Sequence, residues 1–224
     1  MALNVEYTKE RHVVRWVITI IVLALAGISG WYGYRWYTTG ELPPISLPFA
    51  IVSAGDNTQP TETELTSHSV SDRQPRYISI PSLGLARSRV QSVSMSSDNV
   101  LGVTKNLNDT GWYDKSATPG SGGVIILNGQ GGESLGETAF AQVSTLKVGD
   151  DLRLERGDGG TLVYRIVENS DVPVKELDAN RIKSMGRPAV SGKEGLNLIV
   201  TDGRYVPLLG TFDRRALIKA ILVE

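Results

Sequence analysis

The start of the chain has a continuous apolar pattern that predicts one membrane-spanning helix. No charged residue occurs between Trp16 and Tyr34. At about 1.5 Å per residue, a helix of this length crosses about 30 Å of hydrocarbon. Trp16 marks one end of the stretch, and aromatic residues, which favour membrane interfaces, gather at the other end: Trp31, Tyr32, Tyr34, Trp36 and Tyr37. We therefore predict a transmembrane anchor at 16–37.

The basic residues around this helix predict its orientation. Three precede the charge-free stretch 16–34 and one follows it directly: Lys9, Arg11, Arg15 and Arg35. The excess before the helix places 1–15 in the cytoplasm and the chain after Arg35 outside. The small-x-small sequence at 24–26 also fits a cleaved signal peptide. We favour an uncleaved anchor, because apolar residues continue past that sequence into the aromatic group.

Residues 38–74 show no apolar periodicity, in contrast to the chain that follows. They contain four prolines and a run rich in Ser, Thr and Glu: Pro43, Pro44, Pro48, Pro60 and Thr61–Ser71. Such a composition buries too little apolar surface to fold on its own. We therefore predict an extracytoplasmic stalk or linker at 38–74.

From residue 75 to 224, short apolar runs alternate with glycine-rich turns, which predicts a mainly β domain. Alternating or continuous apolar runs indicate strands at 77–81, 123–127, 152–155, 161–167, 196–201 and 215–223. Two segments, 137–146 and 178–185, have spacing typical of short helices. We expect a closed barrel of seven to eight β-strands with two short helices.

Composition excludes several kinds of chemistry. The chain has no cysteine, which removes thiol nucleophiles, disulfides and thiolate metal sites. It has two histidines, His12 before the predicted membrane helix and His68 in the predicted stalk. The predicted barrel therefore contains no histidine to act as a general acid or base. We expect no metal and no cofactor.

Charge gives no sign of a polyanionic partner. The formal net charge of the chain is −1, and basic residues form no block. We therefore predict no nucleic-acid binding. The glycine-rich stretch 128–132 lacks the Lys and Ser/Thr of a phosphate-binding loop, and the pair at 150–151 has no third acidic residue at calcium-ligand spacing. Both are interpreted as turns.

A series of short blocks, in order, carries a resemblance to a known family. The blocks are RYISIPSL at 76–83, TGWY at 110–113, TPG at 118–120, GGVII at 122–126, LNGQ at 127–130, AF at 139–140, LKVGD at 146–150, LIVTD at 198–202 and RALIKA at 215–220. This series resembles the sortase family, particularly its class E and class F branches. The resemblance covers 75–224 and implies a sortase-like barrel. The anchor and stalk also resemble sortases, which are held on the outer face of the membrane.

The resemblance implies an active site of cysteine, histidine and arginine. Sortases are cysteine transpeptidases that cleave a sorting motif in a surface protein and join its carboxyl end to an amine. In this sequence Gln130 falls at the histidine position and Asp202, after Thr201, falls at the cysteine position. Arg215 falls at the arginine position, with Arg214 as a one-residue alternative. A carboxamide is no general acid, and a carboxylate is a poor nucleophile toward an amide.

These residues lead to a functional hypothesis with two alternatives. The first is a catalytically inactive sortase-like module that binds a surface-protein peptide or another envelope protein. Its candidate binding residues are Gln130, Thr201, Asp202, Arg215, Trp112 and Tyr113. The alternatives are a transpeptidase or hydrolase with a non-standard site, and a purely structural envelope protein.

Two of these assignments have a second interpretation. We expect an ion pair between Asp202 and Arg215, in which a carboxylate replaces the thiolate. Asp202 and Gly203 also form a common turn dipeptide. Trp112 and Tyr113 also fit ordinary packing in the core and at its rim.

Overall fold

The computed structural model describes residues 6–41, 56–97, 100–132, 135 and 137–223. Three helices are present in these ranges: α1 at Glu6–Thr39, α2 at Glu62–Ser67 and α3 at Ala179–Ser184. Eight strands follow the order β1 Pro75–Ile80, β2 Leu85–Val93, β3 Thr110–Tyr113, β4 Val124–Gln130, β5 Asp151–Arg156, β6 Thr161–Pro173, β7 Gly195–Val206 and β8 Thr211–Leu222. These residues form two compact units: α1 with the segment 206–210, and the rest of the described chain.

Helix α1 contains the predicted anchor. Its segment His12–Thr39 has a mean hydropathy of 2.1 in its most apolar window and is long enough to cross a membrane. Side chains from 12 to 31 are exposed, as expected for a helix that lacks its lipid surroundings. One N-terminal apolar helix suggests that the protein is anchored by a single span.

The eight strands close into a barrel in the order β1-β2-β3-β4-β7-β8-β6-β5. Five of the strand pairs are antiparallel, β1–β2, β1–β5, β3–β4, β5–β6 and β6–β8, whereas β2 pairs with β3 and β4 pairs with β7 in parallel. The β4–β7 ladder is regular from Val124 opposite Gly195 to Gln130 opposite Thr201. The prediction of a mainly β, closed barrel is confirmed, with eight strands.

The barrel core is built from residues that alternate along each strand. On β4 the inward residues are Ile125 and Leu127, and on β7 they are Leu196, Leu198 and Val200. On β8 they are Ala216, Ile218 and Ala220. Since successive strand residues point to opposite faces, the residues between them face outward. This alternation decides where the candidate site residues lie.

The segment 137–146 differs from its predicted helix. It forms turns followed by a single 3-10 turn at Val143–Thr145. Phe140, Val143 and Leu146 are nevertheless all buried in the barrel core. Their three-residue spacing fits consecutive tight turns as well as a short helix, and core packing alone determines the outcome.

The predicted stalk also differs from the structure over its second half. Residues 42–55 lie outside the described ranges, but 56–74 contain α2 and contact the barrel. Thr61 and Glu64 form a capping box at the start of α2. The Tyr77 hydroxyl donates to the Leu65 carbonyl, and the His68 ring packs edge-on against Tyr77. Local polar bonds and one tyrosine therefore order a segment that lacks apolar periodicity.

Candidate functional site

The parallel pairing of β4 and β7 brings two of the candidate residues together. Gln130, the last residue of β4, and Thr201, in the middle of β7, are the last register partners of this ladder. Gln130 lies on the outward face of β4, because Ile125 and Leu127 point into the core. Thr201 lies on the outward face of β7 by the same alternation.

Arg215 lies on this same outward side of the barrel. Its neighbour on β8, Ala216, is in the core, and Leu217 packs outside the barrel against Val172 and Met185. Val172 is also the register partner of Arg215 across the β6–β8 ladder. We define the outward cluster as Gln130, Thr201 and Arg215.

The Gln130 side chain is bonded to the loop that precedes β3. Its Nε2 donates to the Thr104 carbonyl at 3.0 Å. On the same strand, Asn128 Nδ2 donates to the Gly102 carbonyl at 2.7 Å. Both outward amides of β4 therefore hold the 102–104 loop. Gln130 is a hydrogen-bond donor at the position where the resemblance implies an acid.

The Thr201 hydroxyl is fully engaged with the backbone of Gly131. It donates to the Gly131 carbonyl at 2.9 Å and accepts from the Gly131 N–H at 3.1 Å. A hydroxyl nucleophile needs a neighbouring base that takes its proton. The proton acceptor in this structure is a carbonyl, which is not a base, so the hydroxyl is held in a structural role.

Arg215 donates to acceptors in its own hairpin. Nη1 donates to the carbonyls of Phe212 and Arg214 at 2.9 and 2.8 Å, and Nη2 donates to Thr211 Oγ1 at 2.6 Å. Burial lowers the pKa of Arg215 from its usual value, while Asp213 raises it. A guanidinium stays protonated under such conditions, so the outward cluster carries a fixed positive charge.

Asp202 faces the other way, and the expected ion pair with Arg215 is absent. Asp202 continues the inward row of Leu198 and Val200, and its Oδ1 accepts from the Gly203 N–H at 2.8 Å. Burial raises the pKa of Asp202, and Arg214 is the cation that opposes this rise. The expectation was wrong because Asp202 and Arg215 occupy opposite faces of their strands.

Arg214 is on the face that Asp202 occupies, but its main partner is a third residue. Its Nε donates to Asp171 Oδ2 at 2.6 Å. Asp202, Arg214 and Asp171 therefore form a charged group at the end of the barrel interior. No group of three or more His, Cys, Asp or Glu in the described parts of the chain could hold a metal ion.

The two aromatic candidates separate. Trp112 is buried in the barrel core, and its indole N–H donates to the Ala117 carbonyl at 3.3 Å. It is therefore a packing residue that a ligand on the surface does not reach. Tyr113 is half-buried at the end of β3. Among the residues that the structure describes, no hydrogen bond or ring contact joins it to the outward cluster.

A buried carboxylate that the sequence analysis missed lies at the start of β7. Glu194 accepts from the N–H groups of Gly120 and Gly122 at 2.9 and 2.6 Å and from the Tyr164 hydroxyl at 2.6 Å. Both glycines have positive φ angles, 80° and 78°, which aim their N–H groups at one point. In the sequence, Gly120 and Gly122 after Pro119 were the feature that could have indicated a site for a buried carboxylate.

A cavity of about 550 Å³ lies beside Gln130, since the hydroxyl of Thr138 in its lining donates to the Gln130 carbonyl at 3.0 Å. Its lining includes α2 residues Glu62 and Leu65, the turn between β1 and β2, and Thr138. None of the three outward-cluster residues lines it. His68 is not at the cluster either: its Nε2 lies 3.1 Å from the Val90 carbonyl, on the β2 side.

A comparison with protein-family models gives one match. A model described as "Sortase domain" matches residues 78–205, which is more than half of the 224 residues. No curated protein matches the chain.

Solved sortase structures are similar to this fold at low sequence identity. A lid mutant of sortase A from Corynebacterium diphtheriae is 20% identical, with a TM-score of 0.49, over 72% of this chain and 76% of that one. Sortase C-1 from Actinomyces oris is 20% identical, with a TM-score of 0.48, over 73% and 80% of the two chains. Sortase D5 from Clostridium perfringens, described as a transpeptidase, is 16% identical, with a TM-score of 0.47, over 73% and 89%.

Proposed function

Because this chain belongs to the sortase family, we propose that it is a catalytically inactive member that binds peptides at the cell envelope. The chain contains no cysteine, so the family's thiol attack on a peptide carbonyl has no nucleophile. The ligand class follows from the family: the sorting segment of a surface protein, or an extended segment of another envelope protein. The residues we assign to binding are Gln130, Thr201 and Arg215.

The observation that carries this proposal is the bonding of the outward cluster. Gln130 and Thr201 are bonded to backbone groups of neighbouring loops, and Arg215 is bonded within its hairpin. A carboxamide cannot transfer a proton, and the hydroxyl has no base beside it. The cluster retains a fixed cation and fixed polar groups, which suit recognition of a peptide backbone.

We place the domain outside the membrane, held by the single span of α1. Basic residues cluster before the span, and only Arg35 follows it closely. The positive-inside rule then assigns 1–15 to the cytoplasm and the barrel to the outer side. A peptide that reaches the barrel would therefore come from a secreted or surface protein.

Binding and turnover can be measured together on the full chain in lipid nanodiscs. We would titrate fluorescent peptides that carry sorting motifs, follow their anisotropy, and analyse the same samples by mass spectrometry. We expect saturable binding, uncut peptide, and a loss of binding in Arg215→Ala. Arg153→Ala, which removes an exposed arginine on β5, is the matched control and should bind as the wild type does.

The other outcomes favour the alternative functions. Cut or amine-joined peptides would show that the protein is an enzyme with a non-standard site. If Arg215→Ala still bound peptide saturably, the peptide would bind at a site other than the outward cluster. No binding by any peptide would favour a structural envelope protein.

A further inference from the structure

The turn between β7 and β8 exposes two leucines at its tip. Pro207–Leu209 form a 3-10 turn, and Gly210 ends it in the left-handed conformation with a φ angle of 61°. Leu208 and Leu209 are 55% and 42% exposed. Adjacent large apolar side chains at a loop tip are costly to leave in water, which indicates a partner.

The turn is held in a fixed shape from both sides. Within it, the Gly210 N–H donates to the Pro207 carbonyl at 3.1 Å. Two residues before it and two residues after it, the rings of Tyr205 and Phe212 pack edge to face at 5.6 Å. Further from the turn, the Arg204 N–H donates to Asp213 Oδ1 at 2.7 Å. The leucines are therefore presented by a rigid hairpin end.

The partner is indicated by the unit to which the turn belongs. Residues 206–210 form one compact unit with α1, and the turn contacts this helix. Along the described side chains of α1, the half-buried positions gather at the carboxyl-terminal end, where Tyr32 and Trp36 lie. Those aromatics mark the level of the membrane–water interface.

We propose that the β7–β8 turn, Pro207–Gly210, inserts its two leucines into the outer interface of the membrane that α1 spans. The surface is continuous with the apolar span, and its occupant is lipid at the boundary of headgroups and acyl chains. This inference rests on the membrane anchoring proposed above. A surface protein or a second copy of this chain would be the alternative occupants.

The absence of native cysteine allows a test with single labels. We would introduce one cysteine at a time, Leu208→Cys, Leu23→Cys or Val148→Cys, and attach an environment-sensitive fluorophore in nanodiscs of phosphatidylcholine and phosphatidylglycerol. Leu23 lies within the span, and Val148 is an equally exposed apolar residue, 64% exposed, at another turn of the barrel. Quenching by spin-labelled lipid reports contact with the bilayer.

We expect strong lipid quenching at Leu23 and Leu208 and little at Val148. Leu209→Glu in the Leu208→Cys protein should reduce quenching at 208, while Leu209→Ala should leave most of it. Quenching at Leu23 with a water-exposed label at Leu208 would overturn the insertion and leave the anchoring intact. A water-exposed label at Leu23 would overturn both, and equal quenching at Leu208 and Val148 would show non-specific adsorption of the barrel.

Discussion

Asp202 carries a charge that its surroundings do not fully compensate. Its Oδ1 accepts one backbone N–H, from Gly203, and the cation that acts on it, Arg214, is already bonded to Asp171. Burial is the largest influence and raises the pKa of Asp202. A raised pKa means that the folded protein binds this proton more tightly than the unfolded chain does.

This raised pKa predicts the sign of a pH effect. The contribution of Asp202 to stability is fully present below its unfolded pKa, near 3.9, and is lost as pH rises through the folded pKa. Asp202→Asn removes the titration and keeps the acceptor for Gly203. We therefore expect the stability of the wild type relative to Asp202→Asn to fall as pH rises from about 3.9. Urea unfolding of the full chain in detergent, followed by near-UV circular dichroism, measures this difference.

A control with the opposite sign is available in the hairpin between β5 and β6. The Gly160 N–H is the main cause of a lowered pKa at Asp158. The stability of the wild type relative to Asp158→Asn should therefore increase with pH over the acidic range. If the Asp202→Asn comparison also increased with pH, Asp202 would be ion-paired, as the sequence analysis had expected.

At the scale of the strands, the candidate site is defined by which residues of β7 face into the barrel and which face outward. Leu198, Ile199 and Val200 are all apolar, so β7 shows no period of two in its sequence. The inward face becomes visible only when the barrel closes and places Leu198 and Val200 in the core. The sequence could therefore locate the apolar run of β7 but could not distinguish Thr201 from Asp202 as the residue facing Gln130, and it ended the strand at 201 where β7 continues to Val206.

Cysteine substitutions at the two positions test this alternation directly. We expect Thr201→Cys to react with iodoacetamide several-fold faster than Asp202→Cys, because Thr201 is half-buried on the outward face and Asp202 is buried. The positive charge of Arg215 should lower the pKa of the thiol at 201. The pH dependence of alkylation measures that pKa, and adding Arg215→Gln should raise it.

Val148→Cys gives the rate of an exposed thiol under the same conditions, since Val148 lies in a turn. Faster reaction at 202 than at 201 would reverse the assignment of faces. If the thiol at position 201 had the same pKa with and without Arg215→Gln, Arg215 would not act on position 201 and would not belong to the site.

The other strands and helices show which sequence patterns were sufficient to predict an element. The runs around β4 and β5 and the helix at 178–185 were predicted from local pattern, and Asp178 caps α3. Strand β2 was missed, because Val90 is the one apolar residue of LARSRVQSV that is buried and the other buried position carries Ser88. A strand with so few apolar inward residues gives little alternation to detect.

At the scale of the whole molecule, the two ends of the barrel have different roles. Gln130 and Thr201 lie at one end of the β4–β7 ladder, and Glu194 lies at the other, just before β7 begins. Glu194 joins the loop before β4 to β7 and, through Tyr164, to β6. Burial and Glu194 raise the pKa of Tyr164, so the phenol keeps its proton and remains a donor. One end thus stabilises the barrel, and the other carries the proposed binding residues.

This separation predicts a variant that loses stability and keeps its ligand. In Glu194→Gln, the NH₂ group of the amide replaces one carboxylate oxygen that accepts hydrogen bonds from Gly120, Gly122 or Tyr164. Because a donor then faces a donor at a buried position, we expect the free energy of unfolding to fall by about 2–3 kcal/mol. Glu168→Gln removes a surface contact to Lys219 at 3.2 Å and should cost less than about 1 kcal/mol. Since a domain of this kind has about 5–15 kcal/mol of stability, Glu194→Gln should still fold. Its peptide affinity should match the wild type below the unfolding transition, and a loss of affinity in the folded variant would show that the two ends are coupled.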